Sequence, residues 1–126
     1  MSTELREVYR CNHCGNVVEV VQAGPAPLVC CGENMEKLEA QTADYTTEKH
    51  VPVVEEVESG VKVTVGSTLH PMTKEHLIRF IEVLTEDKVL RAELEAGQEP
   101  VAEFKVAKDE IVEVREFCNI HGLWKA

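Results

Sequence analysis

The stretch VPVVEEVESGVKVTV, residues 51–65, decides the fold class. Two Val-rich runs, VPVVEEVE and VKVTV, flank Ser59-Gly60. Branching at Cβ suits Val to a pleated, half-buried surface. Val61, Val63 and Val65 alternate with Lys62 and Thr64, so one face of that run is apolar and the other polar. The pair reads as a β-hairpin turning at Ser59-Gly60. Further runs follow at short spacing: LIRFIEVL at 77–84, VLRAELE at 89–95, VAEFKVA at 101–107 and EIVEVREF at 110–117. Residues 77–84 and 88–95 are compatible with helix on propensity alone. Turn signals such as AGQEP at 96–100 nevertheless recur at the regular interval of an all-β sandwich.

Upstream of the hairpin the character of the chain changes. The first 37 residues hold four of the five cysteines, in turn-rich stretches CNHCGN, AGPAP and CCGEN. Only short strand-like pieces, 17–21 and 28–29, lie between them. So few apolar residues do not make a self-sufficient core, and a unit below about 40 residues needs a staple, which a metal supplies. Residues 39–47 are polar and read as a linker. The expected division is a metal-stapled domain over 1–37 and a β-domain over 38–126.

Composition narrows the function classes. The 126 residues are 44% apolar, enough for a core, and carry a formal net charge of −10. Nucleic acid is an unsuitable partner, because phosphate binding needs a Lys/Arg footprint. An anionic substrate would be repelled by the average field and would need local attraction. No run approaches the roughly 20 apolar residues of a membrane span. The polar start, MSTELREVYR, lacks an apolar signal core, so the expectation is a cytoplasmic protein with no membrane partner. In that reducing compartment clustered cysteines are metal ligands before they are disulfides.

Cys11 and Cys14 form a C-x-x-C turn, and Cys30 and Cys31 follow as adjacent residues. Four thiolates suit tetrahedral zinc or iron, and spacing alone does not choose between them. Adjacent cysteines cannot repeat the C-x-x-C turn, so a distorted sulfur geometry is expected. A vicinal disulfide would need a strained ring. His13, inside the C-x-x-C loop, reads as an exposed turn residue. His50, His70, His76, His121 and Cys118 remain, each where a strand pattern breaks. Imidazole suits zinc, copper and iron, and a thiolate adds softness. Five such ligands are one too many for a closed structural zinc and would leave octahedral iron one open position.

CxxC…CC, EKHVP at 48–52, HPMTKEH at 70–76 and CNIHGLWK at 118–125, in this order, resemble desulfoferrodoxin, the two-iron form of superoxide reductase. The resemblance covers nearly the whole chain. It implies a desulforedoxin-like N-terminal domain and a neelaredoxin-like catalytic domain folded as an immunoglobulin-like β-sandwich. Cys11, Cys14, Cys30 and Cys31 would hold one iron, with zinc as the alternative occupant. His50, His70, His76 and His121 would be the equatorial nitrogens of the second iron, and Cys118 its axial thiolate. Glu48 and Lys49 match the family's pair beside the open position. Lys49 would attract superoxide, with Lys74 a weaker candidate, and Glu48 would close the open position after oxidation. A homodimer is implied, as is rubredoxin or a similar small electron donor. Two positions depart from the family's usual residues: Phe117 replaces a tyrosine, and Leu77 an aromatic.

The expected reaction is superoxide plus one electron plus two protons giving hydrogen peroxide. A blue-copper carrier would want a weak axial ligand after His121, where only GLWKA follows. A zinc-stabilised binding module explains the cysteines but leaves four histidines and Cys118 to coincidence. A superoxide dismutase would evolve oxygen, which a reductase does not.

Overall fold

The computed structural model describes residues 2–42, 50–66 and 70–126. It divides into two compact units, Met1–Glu39 and Ala40–Ala126. No helix is long and apolar enough to cross a membrane among the described residues.

The first unit is built from very short strands. β1 (Val8–Arg10) pairs antiparallel with β2 (Val17–Glu19) on one side and β5 (Glu36–Leu38) on the other. Between them β3 (Val29–Cys30) and β4 (Glu33–Asn34) form a two-stranded hairpin. Its turn is Cys31-Gly32, both with positive φ, 53° and 77°. Only glycine takes that region without cost, so Cys31 sits in a conformation that side chains rarely adopt. The adjacent cysteines differ in backbone conformation: Cys30 ends a strand and Cys31 begins the turn. Among the described residues of this unit, Val8, Tyr9, Cys11 and Val20 are the buried apolar ones. That is a very small core, as the composition of the segment predicted.

The second unit is a sandwich of two antiparallel sheets. One has the order β10-β7-β6, from β6 (Pro52–Val57), β7 (Gly60–Val65) and β10 (Val101–Phe104). The other has the order β12-β11-β8-β9, from β8 (Ile78–Leu84), β9 (Val89–Glu93), β11 (Glu113–Cys118) and β12 (Gly122–Lys125). Val61, Val63 and Val65 are fully buried and meet Ile81, Val83 and Val114 from the opposite sheet. Residues 77–84 and 88–95 carry strands, as the turn spacing indicated, because both supply one wall of this core. The only regular helical turn among the described residues is the short 3₁₀ turn Lys108–Glu110.

Two local readings shift. The hairpin turns on Glu58-Ser59, since Val57 pairs directly with Gly60. Gly60 opens β7 instead, and a Cβ there would lie 2.0 Å from the Phe104 carbonyl oxygen. Glycine is therefore required by the close approach of the last residue of β10. Second, the run read at 110–117 is not the last strand, since Gly122–Lys125 forms another. Cys118 ends β11, and β12 pairs back onto it through Cys118↔Gly122, so both ligands belong to a hairpin.

Candidate metal centres

The four cysteines of the first unit come together with their ligand atoms within 4.8 Å of one another. The sulfurs of Cys14 and Cys30 are 3.6 Å apart, and those of Cys30 and Cys31 4.0 Å. A tetrahedron of metal–sulfur bonds of about 2.3 Å has edges of about 3.8 Å, so the donor set fits a tetrahedral ion. The ionisation chemistry points the same way. The backbone N–H groups of Cys14 and His13 pull the Cys11 thiol down to about 6. Hydrogen bonding to Cys11 then pushes Cys30 up to about 12. The Cys11 thiolate opposes ionisation of Cys30, and a cation between them would relieve that opposition. His13 lies outside this set, exposed, with Nε2 3.0 Å from a Glu33 carboxylate oxygen.

His50, His70, His76, His121 and Cys118 form the second cluster, again with ligand atoms within 4.8 Å. Each comes from a strand end. His50 precedes β6, His70 and His76 bracket the loop before β8, and the β11–β12 hairpin carries the other two. The rings follow one another in a closed circuit. Centroids are 4.8 Å apart for His50–His70, 4.6 Å for His70–His76, 5.0 Å for His76–His121 and 4.7 Å for His121–His50. Interplanar angles of 68° to 80° set the rings like blades around one centre.

His50 Nε2 and His121 Nδ1 are 2.9 Å apart. Two nitrogens at right angles on a metal with bonds of about 2.1 Å would be about 3.0 Å apart. His70 fixes its own tautomer: Nδ1 lies 2.7 Å from the Pro71 carbonyl oxygen and donates to it. That leaves the Nε2 lone pair buried, with no hydrogen-bond partner. Burial, reinforced by the neighbouring imidazoles, holds His70 at about 4, so it stays neutral and able to ligate at pH 7. An orphaned, neutral, buried imidazole nitrogen beside three other imidazoles fits a metal ion better than it fits a packed core.

Cys118 is fully buried in the core of the sandwich. Burial raises its pKa, and the amides of His121 and Ile120 oppose that rise. The His121 N–H reaches its sulfur at 3.4 Å. A metal would deprotonate this thiol on binding. Glu116, also fully buried, has neither carboxylate oxygen paired, and burial pushes it up to about 10.

Sequence reasoning missed the residues that brace this circuit. Trp124 stacks on His50 with centroids 4.6 Å apart and planes 16° apart. Its Nε1 donates to the His121 carbonyl at 3.2 Å, and Gln41 Nε2 donates to the same oxygen at 2.9 Å. The backbone of Gln41 also pairs with β12 on both sides of Trp124. The lone tryptophan, three residues from a ligand, was the available signal for the first; Gln41 offered none. Phe117 stacks on Phe80 at 5.7 Å, and Leu77 is buried. Glu48 and Lys49 lie outside the described residues.

Residues 42–126 match the desulfoferrodoxin family, and residues 3–38 match the desulfoferrodoxin N-terminal domain. The chain belongs to the desulfoferrodoxin family. It is 51% identical over 124 residues to a desulfoferrodoxin homolog of Archaeoglobus fulgidus, covering 98% of each chain. It is 49% identical over 120 residues to the desulfoferrodoxin of Nitratidesulfovibrio vulgaris, covering 95% of this chain and 94% of the relative. The crystal structure of the superoxide reductase from Treponema pallidum superposes with a TM-score of 0.79 at 31% identity, covering 95% of this chain and 96% of that one. In this desulfoferrodoxin chain both candidate metal groups lie inside the matched segments.

Proposed function

We propose that this desulfoferrodoxin is a superoxide reductase that converts superoxide, one external electron and two protons into hydrogen peroxide without evolving oxygen. The observation that carries this is the closed circuit of four imidazoles around one buried thiol. Four imidazoles and one buried thiol, with ligand atoms within 4.8 Å of one another, are five donors, and an octahedral ion held by them would keep one position for a reactant. The likeness to a solved superoxide reductase over almost the whole chain supports the same reading.

His50, His70, His76, His121 and Cys118 would hold an iron ion, and Cys11, Cys14, Cys30 and Cys31 a second iron or a zinc. When bound, the first of these would supply the electron to superoxide and an open position for it. The protein's own residues do the rest. Cys118, out of contact with solvent, keeps its sulfur from water. The Pro71 carbonyl and the Trp124 ring hold His70 and His50 in their ligating orientations. Lys49, adjacent in sequence to His50, supplies the local positive charge that a chain of net charge −10 needs to attract an anion. Glu48, next to Lys49 in sequence, would offer a carboxylate to the ion once it is oxidised.

The division of labour follows the sequence boundary, with residues 1–37 carrying the relay or staple and 38–126 the chemistry. Rubredoxin or a similar small carrier supplies the electron, and the working form is a cytoplasmic homodimer. Anaerobic purification, iron counting and titration with superoxide test the reading. About two irons per chain, peroxide formed and no oxygen released are expected; oxygen evolution would make it a dismutase, and zinc alone a binding module.

A further inference from the structure

We propose that Asn119 is a positioning residue whose side chain clasps the His76 loop to the Cys118–His121 turn and so preforms the five-ligand site. The inference rests on the reading that these five residues hold a metal. Asn119 is the first residue after Cys118. Its Oδ1 accepts the Leu77 N–H at 3.0 Å, and its Nδ2 donates to the Glu75 carbonyl at 3.0 Å. Its backbone N–H donates to the Leu77 carbonyl at 3.2 Å. These bonds fall on both sides of His76, on the residue before it and the residue after it.

The position explains the need. β8 and β11 pair regularly up to Phe117↔Phe80, and the register then shifts between Phe117 and Cys118. Beyond Ile78 the chain carrying His76 leaves the sheet, and its amides need other acceptors. The loop satisfies two of them itself. Thr73 Oγ1 accepts the His76 N–H at 3.1 Å, and Met72 Sδ accepts the Ile78 N–H at 3.3 Å. The Leu77 N–H between them is taken by Asn119, from the other ligand-bearing loop. A carboxamide suits the role because one head group supplies both an acceptor and a donor. Carboxylate supplies only acceptors, and a hydroxyl on this short stem does not reach two backbone groups. Residues that orient ligands in this way contribute about 10–100-fold to metal affinity.

Cobalt(II) titration of the metal-free full chain, followed by its ligand-field and thiolate absorption, tests the clasp. Asn119→Ala is expected to weaken binding at the five-ligand group by about 10–100-fold and to shift its bands, with binding by the four cysteines unchanged. Asn119→Asp keeps the acceptor, loses the donor and adds negative charge near a cation. Charge alone would tighten binding, so weaker binding than wild type is the signature of a lost Glu75 bond. Unchanged affinity and bands in Asn119→Ala would overturn the inference. Amide exchange at Leu77 in the metal-free wild-type chain covers the case in which Asn119→Ala does not fold: protection is expected, and rapid exchange would overturn preformation. If wild type itself takes up no cobalt at the five-ligand group, the metal-site reading falls and this inference with it. If wild type binds and Asn119→Ala binds equally, only the clasp falls.

Discussion

The two metal-binding groups of this chain stand in opposite relations to their surroundings. The four cysteines lie in a unit whose strands are two or three residues long and whose described residues bury four apolar side chains. Cys14 and Cys31 are exposed, and Cys31 is held at positive φ. Little in that unit would keep the sulfurs together without an ion. The five-ligand group instead sits on strands of four to seven residues around a Val- and Ile-rich core, with Cys118, His50 and His70 buried. Trp124, Gln41 and the Pro71 carbonyl brace its ligands through contacts within the protein. In the first unit an ion would make the fold; in the second the fold makes the ligand group.

Removing metal breaks this comparison most severely if it is wrong. Chelation at neutral pH should unfold residues 1–39 and leave the sandwich folded, because a structural metal contributes about 10 kcal/mol or more to a small unit. Hydrogen exchange read strand by strand checks it. Protection surviving in β1 and β2 of the metal-free chain would show that the first unit needs no staple.

Gly60→Ala probes the other side. A Cβ set against the Phe104 carbonyl forces the backbone apart, at a cost of roughly 2–3 kcal/mol. Urea unfolding of the sandwich should record that loss while the first unit keeps its stability. Equal losses in both units would mean that they unfold together.

Next in size is Lys49→Ala, which should slow the bimolecular reaction with superoxide by about tenfold at low salt. Pulse radiolysis measures it, and an unchanged rate removes Lys49 from the mechanism. Cys14→Ser should cost the first centre and leave superoxide reduction within about twofold. Loss of activity with the second iron still loaded would make the cysteine centre an essential relay.

The smallest effect concerns Glu7, hydrogen-bonded by Lys37 and Tyr9 and thereby pulled from 4.5 down to about 2. A lowered carboxyl stabilises above its unfolded pKa, and that contribution fades as pH falls from about 4.5 towards 2. In acid titrations followed by NMR, Glu7→Gln should flatten this part of the first unit's pH dependence and leave the sandwich unaffected. Identical curves for the variant and the wild type would show the carboxylate contributes nothing there.

Much of this was legible from local chemistry. The C-x-x-C turn and the adjacent cysteines announce a shared ion, because sulfurs close in sequence are close in space. Alternation in Val61, Val63 and Val65 identified a strand that is the centre of its sheet. Residues 77–84 and 88–95 have side chains compatible with helix, and the spacing of turns was enough to correct propensity. β12 escaped notice because Gly122–Lys125 is short and has no alternation, and its pairing with β11 is a tertiary fact. The turn was misplaced by one residue because Gly60 looks like a turn glycine; the carbonyl that requires it comes from Phe104, 44 residues away in sequence.

By itself the sequence determined the inventory: five cysteines that divide as four and one, and five histidines that divide as one and four. Residue types carry donor chemistry, and that is a local property. Only the tertiary structure decided the order of the imidazoles, the tautomer of His70, the burial of Cys118 and the clasp of Asn119. Each of these depends on groups brought together across strands, and distance in space is what sheet register sets and sequence separation conceals.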